Sequence, residues 1–315
     1  MLQNPAYRLI YSDILDSLLR DLRKRLLAYI VLAATGLTSC TTGRVGSPAT
    51  GEPEANISSP VDRISRVSGP VWQFHFDQNA HTYTSTTHVS LHTVDAAELE
   101  SDTLTSSVHF IITADRTHAP VAISGVVDRV TISRGSKIGR DSSKIEVPFT
   151  FEGTLSNQRV ELNLSHLAIV PSACTNPTTV ILGDIRTLLT TLPETLIQGL
   201  KWTDTISTTT CNTAGISSAI HILRSYDVLG DTIYSGLEAL VIRRTESTEF
   251  DGSGAQDQHQ VSLRGTGTGL TIIYLDKRGI PLAIDTSGNS QLIVTASGQF
   301  RHFSQQLQQT IKLID

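Results

Sequence analysis

The sequence predicts a mainly β fold of the α+β kind: a long antiparallel meander curved into an open or half barrel, with one helix packed on it around residues 178–192. Three observations carry that expectation. From Pro70 onward apolar and polar residues alternate with period two, as in strands that bury one face. Turn residues punctuate these runs at short intervals. Only one segment of the later chain has helical spacing.

Residues 1–39 read as an export signal. Arg23-Lys24-Arg25 precedes an apolar run over 26–37, and small residues follow it up to Cys40. The run is shorter than the roughly 20 apolar residues that a membrane-spanning helix needs. Neither an amphipathic period nor a C-terminal glycine cap organises it as a helix of a folded body. Asp13, Asp16 and Asp21 are unusual in a signal, and Met1 is the only methionine. A start assigned too far upstream, leaving 1–18 outside the natural product, is therefore one reading. Leu37-Thr38-Ser39-Cys40 resembles the lipobox of bacterial lipoproteins, whose cysteine becomes the lipidated first residue after cleavage. The resemblance implies an acyl anchor on Cys40 and a membrane as partner through it. It places the rest of the chain on the bacterial cell envelope, facing the periplasm or the exterior. Each buried methylene of an acyl chain contributes about 0.8 kcal/mol, so more than one chain makes release slow. Thr41, which is not acidic, points to the outer rather than the inner membrane.

The chain carries 25 basic and 30 acidic residues, of which five and three precede Cys40; the remaining 20 against 27 give a mature net charge of about −7. That balance disfavours nucleic acid, which rewards basic patches, and a polybasic grip on anionic lipid heads. At 39% hydrophobic residues the chain can bury one sizeable core or two fused halves. Cys174 and Cys211 remain after Cys40, and in an exported protein such an even pair points to a disulfide. Two separate buried thiols are the alternative.

Residues 40–68 form the lipidated cysteine and a tether: Gly, Ser, Thr, Pro and charge dominate, too polar to offset the entropy of ordering. The β-rich part spans 69–315. Trp72, Phe74 and Phe76 fall on one strand face, Val89 and Leu91 alternate with Ser90 and His92, and Val108, Phe110 and Ile112 share a face. Val160, Leu162 and Leu164 alternate with Glu161 and Asn163 in the same way. These are half-buried antiparallel strands. Ile181, Ile185, Leu188, Leu189 and Leu192 then line a helical face between Pro177 and Pro193, either as core packing or as a lid over a cavity. Beyond it, hairpin turns are expected at Gly230-Asp231, Lys277-Arg278-Gly279 and Gly288-Asn289. Gly265, Gly267 and Gly269 lie within a strand pattern, where they permit bulges or bending. The comparable lengths of 70–170 and 195–315 suggest two similar halves.

Catalytic, cofactor-binding and metal-binding residues are expected to be none. Asp285-Thr286-Ser287-Gly288 approaches the signature of aspartic proteases, but its glycine comes one position late and no second copy exists. A turn is the better reading. His75, His81, His88, His92, His109 and His118 invite a metal site, yet two strand residues four apart are about 13 Å from each other, too far to share an ion. Hydrogen-bonded strand histidines are expected instead. Gly265-Thr266-Gly267-Thr268-Gly269 lacks the strand-to-helix setting of a dinucleotide loop. Trp72 and Trp202 read as core or rim aromatics.

Gly199 and Trp202 before a Thr-rich strand, with glycine-rich hairpins after it, resemble bacterial lipoproteins whose mature part is a curved antiparallel sheet. The chain also looks, more distantly, like the half-open barrels of lipoprotein carriers and receptors. That likeness implies an acyl chain or other apolar ligand, a lipid for instance, held in the hollow of the sheet, in a non-enzymatic binding or scaffolding role with envelope proteins as further partners. An envelope enzyme of hydrolase type is the competing class. Converging Asp, His or Ser side chains would favour it.

Overall fold

Alternating side chains along nearly every strand divide the protein into a wetted outer face and a buried inner one. The computed structural model describes residues 71–73, 79–94, 101–115, 121–136, 139–141, 147–156, 159–164, 178–189, 192–193, 195–211, 217–256, 259–296 and 298–314. In chain order these form β1 (Trp72–Gln73), β2 (His81–Thr93), β3 (Ser101–Asp115), β4 (Val121–Ser136), β5 (Gly139–Asp141), β6 (Phe149–Ser156) and β7 (Arg159–Leu164). Then come α1 (Thr178–Leu188), β8 (Thr195–Leu196), β9 (Lys201–Cys211), β10 (Ser217–Tyr234), β11 (Leu237–Gln256), β12 (His259–Leu275), β13 (Pro281–Ala296) and β14 (Gln299–Leu313). Residues 1–70, on which the expected signal, tether and Cys40 fall, lie outside the described residues, as do Cys174, Phe74, Phe76, His75 and His118. Cys211 ends β9, opposite Ser217.

The protein is mainly β. One antiparallel sheet runs in the order β7-β6-β4-β3-β2-β14-β13-β12-β11-β10-β9, with β5 paired to β4, and it does not close into a barrel. The chain enters this sheet in the middle at β2, meanders to the edge strand β7, reappears at the opposite edge as β9, and meanders back. β14 then pairs with β2 from Leu313↔Tyr83 to Phe303↔Thr93. β1 and β8 make a separate two-stranded sheet, Trp72 opposite Leu196.

Strand phase follows the sequence alternation. In β2, Tyr83, Ser85, Thr87, Val89, Leu91 and Thr93 are buried, as are Val108, Phe110 and Ile112 in β3. Two apolar clusters occupy the inner face. The first joins Tyr83, Phe110, Phe151, Tyr226, Ile273 and Ile311 from across the sheet to α1 and to Trp72 and Leu196 of the small sheet. The second, at the other end of the strands, joins Val89 and Leu91 of β2 to Ile220 and Ile222 of β10, with Leu263, Val294 and Leu307. β2 and β10 stand five places apart in the sheet order, and Leu307, Leu292, Leu263 and Phe250 from the strands between link them into one continuous buried row. A flat sheet would leave that face in water.

The helix starts where the apolar spacing predicts it but ends at Leu188, short of the expected residue 192, so that Leu192 packs on the first cluster from beyond the helix; Ile181, Leu182, Ile185, Leu188 and Leu189 are buried in that cluster. Lys277-Arg278-Gly279 is a turn, built on the buried Asp276, whose Oδ1 accepts the backbone N–H groups of Arg278 and Ile280 at 2.8 and 2.9 Å. Two other expected turns are not turns. Gly230-Asp231 lies inside β10, where Gly230 (φ +127°) serves a bulge between Val228 and Gly230. The reversal comes at Ser235-Gly236 (φ +49° and +83°), a two-residue connection whose paired positive φ values suit the twist of a hairpin. Gly288-Asn289 lies in mid-β13, and the chain reverses near Gly298 (φ +79°). Both misplacements have one cause: these glycines meet packing and register demands that local sequence does not reveal. Nor does β12 bulge at Gly265, Gly267 and Gly269, where its pairing with β13 is in continuous register.

Gly125 in β4 shows how tightly one such demand binds. A Cβ there would lie 2.2 Å from the Phe151 ring and 2.4 Å from the Ile111 carbonyl oxygen. Gly125→Ala should therefore cost about 1–3 kcal/mol and lower the thermal midpoint by several degrees. Melting followed by circular dichroism checks this, and an unchanged midpoint would contradict the packing.

Candidate functional site on the inner face

A polar belt separates the two apolar clusters. Along β11, Ile242 belongs to one cluster and Phe250 to the other, and between them Arg244, Glu246 and Thr248 point to the same inner face. The same sequence of apolar, polar and apolar positions recurs in β2 through Ser85 and Thr87, in β13 through Thr286 and Ser290, and in β14 through Gln309 and Gln305. Strand register stacks these positions side by side across the sheet.

Charge within the belt is paired. Arg244 Nε lies 2.7 Å from Glu246 Oε1, with side chains only 6% and 10% exposed. Arg244 Nη2 also donates to Thr271 Oγ1 at 3.2 Å, and Thr271 meets Thr286 at 3.1 Å. Near the β9 edge Arg224 grips Asp204 with two bonds, Nε to Oδ1 at 2.6 Å and Nη2 to Oδ2 at 2.5 Å. Tyr226 donates its hydroxyl to Asp204 at 3.2 Å and stacks on Trp202 with centroids 4.6 Å apart. Losing one partner of a buried pair costs about 3–5 kcal/mol, because the survivor is left charged without water. The belt is therefore a fixed element of the interior.

Burial works against the charge of Arg224, but the hydrogen bond to Asp204 and the surrounding phenol and carboxylates outweigh it and raise its pKa. Burial is also the leading influence on Tyr226, whose phenol is pushed up to about 12 against the opposing pull of Arg244 and Arg224.

One hollow borders the belt, and a second lies apart from it. On the inner face, backbone at Gly267, Gly269 and Gly288 floors a pit of about 20 Å³, walled by Glu246, Thr248, Thr286, Ser290 and Gln305. A wider groove of about 590 Å³ lies by the β10–β11 turn, against Val71, Trp72, Asp231, Ile233, Glu238 and Lys277. There Trp72 Nε1 donates to Asp231 at 2.9 Å, and Lys277 pairs with Glu238.

The residues weighed from sequence do not converge. Asp285 accepts a bond from Thr310 Oγ1 at 2.9 Å in the middle of a strand, neither in a turn nor beside a second carboxylate arranged for shared protonation. His88 meets Thr105 at 3.0 Å and His109 meets Asp128 at 2.5 Å, on separate strands. Among the described residues no three His, Cys, Asp or Glu side chains gather as a metal ion would need. Sequence reasoning missed Asp204, Arg224, Arg244, Glu246 and Gln305. Their signal was phase: in β11, Arg244 and Glu246 are in step with the buried Ile242 and Phe250, whereas Arg243 and Thr245 are out of step.

No protein-family model matches the chain, and no curated protein matches it. Among solved structures a DUF1329 family protein from Desulfovibrio piger is a weak neighbour. The alignment covers 73% of this chain and 84% of that one at 8% identity, with a TM-score of 0.17. DUF1329 is a bacterial family. A likeness at that level transfers no chemistry.

Tyr226 gives the belt a pH signature. Because the folded state keeps the phenol neutral to higher pH than the unfolded chain does, its contribution to stability is complete below about pH 10. It is lost as pH rises through about 12. The difference in melting temperature between wild type and Tyr226→Phe should shrink across that window; a constant difference would place the phenol in water.

Proposed function

We propose that the protein is a non-enzymatic lipoprotein, held on a bacterial membrane by acyl chains at Cys40. Its β-rich part binds an apolar or amphiphilic ligand against the inner face of the sheet, under α1. The observation that carries this reading is the cover itself. A single short helix, with Leu189 just past its end, adds five buried aliphatic side chains to one apolar cluster, the kind of surface a ligand tail replaces. The first cluster is thus apolar but not empty, and ligand entry requires α1 to move.

The energies are commensurate. Burying five aliphatic side chains is worth roughly 7–15 kcal/mol, and a tail of a dozen methylenes about 10 kcal/mol. A ligand can therefore exchange places with the helix without a large net cost. An export signal ending at a lipobox-like Cys40 supports the membrane placement, and the acidic mature charge supports a partner other than nucleic acid. The ion pairs of the belt neutralise one another, and Tyr226 is moved away from neutral pH, so the site favours holding over proton transfer.

Native mass spectrometry of the full chain purified from envelope extracts in mild detergent tests both parts. The expected spectrum has an added acyl mass that Cys40→Ser abolishes, and a co-purifying lipid-sized ligand. A protein of unmodified mass overturns the anchor, and one that neither carries nor takes up amphiphiles overturns the binding role.

The cover can be loosened selectively. Arg186 of α1 donates from Nη2 to the Leu162 carbonyl oxygen of β7 at 2.8 Å, a fastening between helix and edge strand. Arg186→Met keeps most of the side chain's volume and removes that bond. Ligand dissociation should quicken by about tenfold for a loss of roughly 1–2 kcal/mol. Stopped-flow displacement of a fluorescent fatty acid measures it, and unchanged kinetics would mean that α1 is not the gate.

A further inference from the structure

One buried amide in the polar belt is only half satisfied. Gln305 of β14 is 1% exposed, and its Oε1 accepts a bond from Ser290 Oγ at 3.1 Å, while its Nε2 has no hydrogen-bond partner. An unpaired buried group of this kind costs about 1–3 kcal/mol, which a partner would recover.

Gln305 is one of the residues that line the glycine-floored pit, together with Glu246, Thr248, Thr286 and Ser290. The volume of about 20 Å³ exceeds the roughly 10–15 Å³ that one water-sized group requires. The pit opens onto the same inner face as the apolar clusters, and Phe250 and Leu307 of the second cluster form part of its wall.

We propose that this pit is the polar subsite of the binding face and takes one hydroxyl group of an uncharged amphiphile, whose tail lies along the neighbouring apolar side chains. The proposal rests on the ligand-binding reading above and adds the chemistry of the head group. A hydroxyl meets both demands of the site: it accepts from Gln305 Nε2 and donates to the Glu246 carboxylate. A carboxylate head accepts from Gln305 but sets its charge beside that of Glu246. An alkane leaves the amide unpaired. A cationic head gains little, because Arg244 at 2.7 Å already neutralises Glu246.

The glycines make the pit testable without breaking the sheet. A Cβ on Gly288 would sit 3.4 Å from the Thr268 carbonyl oxygen and 3.9 Å from Leu307 Cβ, ordinary contact distances, and the backbone there needs no positive φ. Gly288→Ala therefore puts a methyl group into the pit and leaves the fold intact. Gln305→Leu removes the amide and keeps its bulk.

Full-length protein is titrated with a monoacylglycerol, with the fatty acid of the same chain length and with a long-chain alkane, read by native mass spectrometry alongside melting curves. Wild type should bind the monoacylglycerol at least about tenfold more tightly than the other two, the size of one well-made buried hydrogen bond. Both variants should melt near wild type yet lose most of that preference. If the three ligands bind equally, or if either variant keeps the wild-type preference, the subsite is overturned and the binding role stands. Failure of all three ligands to bind overturns both.

Discussion

The ladder between β2 and β14 is the constraint on which the rest of the architecture depends. It joins the two meanders into a single sheet, with the chain entering and leaving at the middle instead of at an edge. The links between meanders must then span from one edge strand, β7, to the other, β9. α1 lies in that connection, and its apolar side belongs to the same cluster as the inner face. The cover over the first apolar cluster is thus a result of topology as well as of helix amphipathicity. Were the two meanders separate sheets, nothing would draw the helix across both.

A face so deeply buried would ordinarily be wholly apolar, since each polar group taken from water must recover its hydrogen bonds inside. Here the recovery is nearly complete. Arg224 and Asp204 satisfy each other, Arg244 is shared between Glu246 and Thr271, and Ser290 serves Gln305. The amide nitrogen of Gln305 and the Ser218 hydroxyl are exceptions, and Arg244 Nε faces Glu246 at 2.7 Å as an ion pair without hydrogen-bond alignment. Apolar clusters on either side exclude water from the pairs, which strengthens them and makes their positions rigid. The belt therefore divides the interior into compartments of fixed polarity.

Much of this was legible before any coordinates. Val89 and Leu91, or Val108, Phe110 and Ile112, declare their face by alternation alone, because the period of a strand leaves no other arrangement that buries them together. Ile181, Ile185 and Leu188 do the same at the helical period. Glycine was the poorer guide. Gly230 and Gly288 look like turn residues, but one relieves a bulge and the other floors a pit, and both uses depend on strands distant in sequence. The belt was missed for a related reason. A charged residue in phase with buried neighbours contradicts local expectation, and only the opposite strand reveals its partner.

The same ladder sets terms for how the molecule comes into being. Gln309 and Thr87, hydrogen-bonded at 3.3 Å, are 222 positions apart. Closing so large a loop is slow, and it comes after the many hairpins that need only adjacent strands. Any machinery that delivers the polypeptide from its N-terminal end presents β2 with an unfilled edge until the last strand emerges. During that interval the exposed edge can recruit a foreign strand.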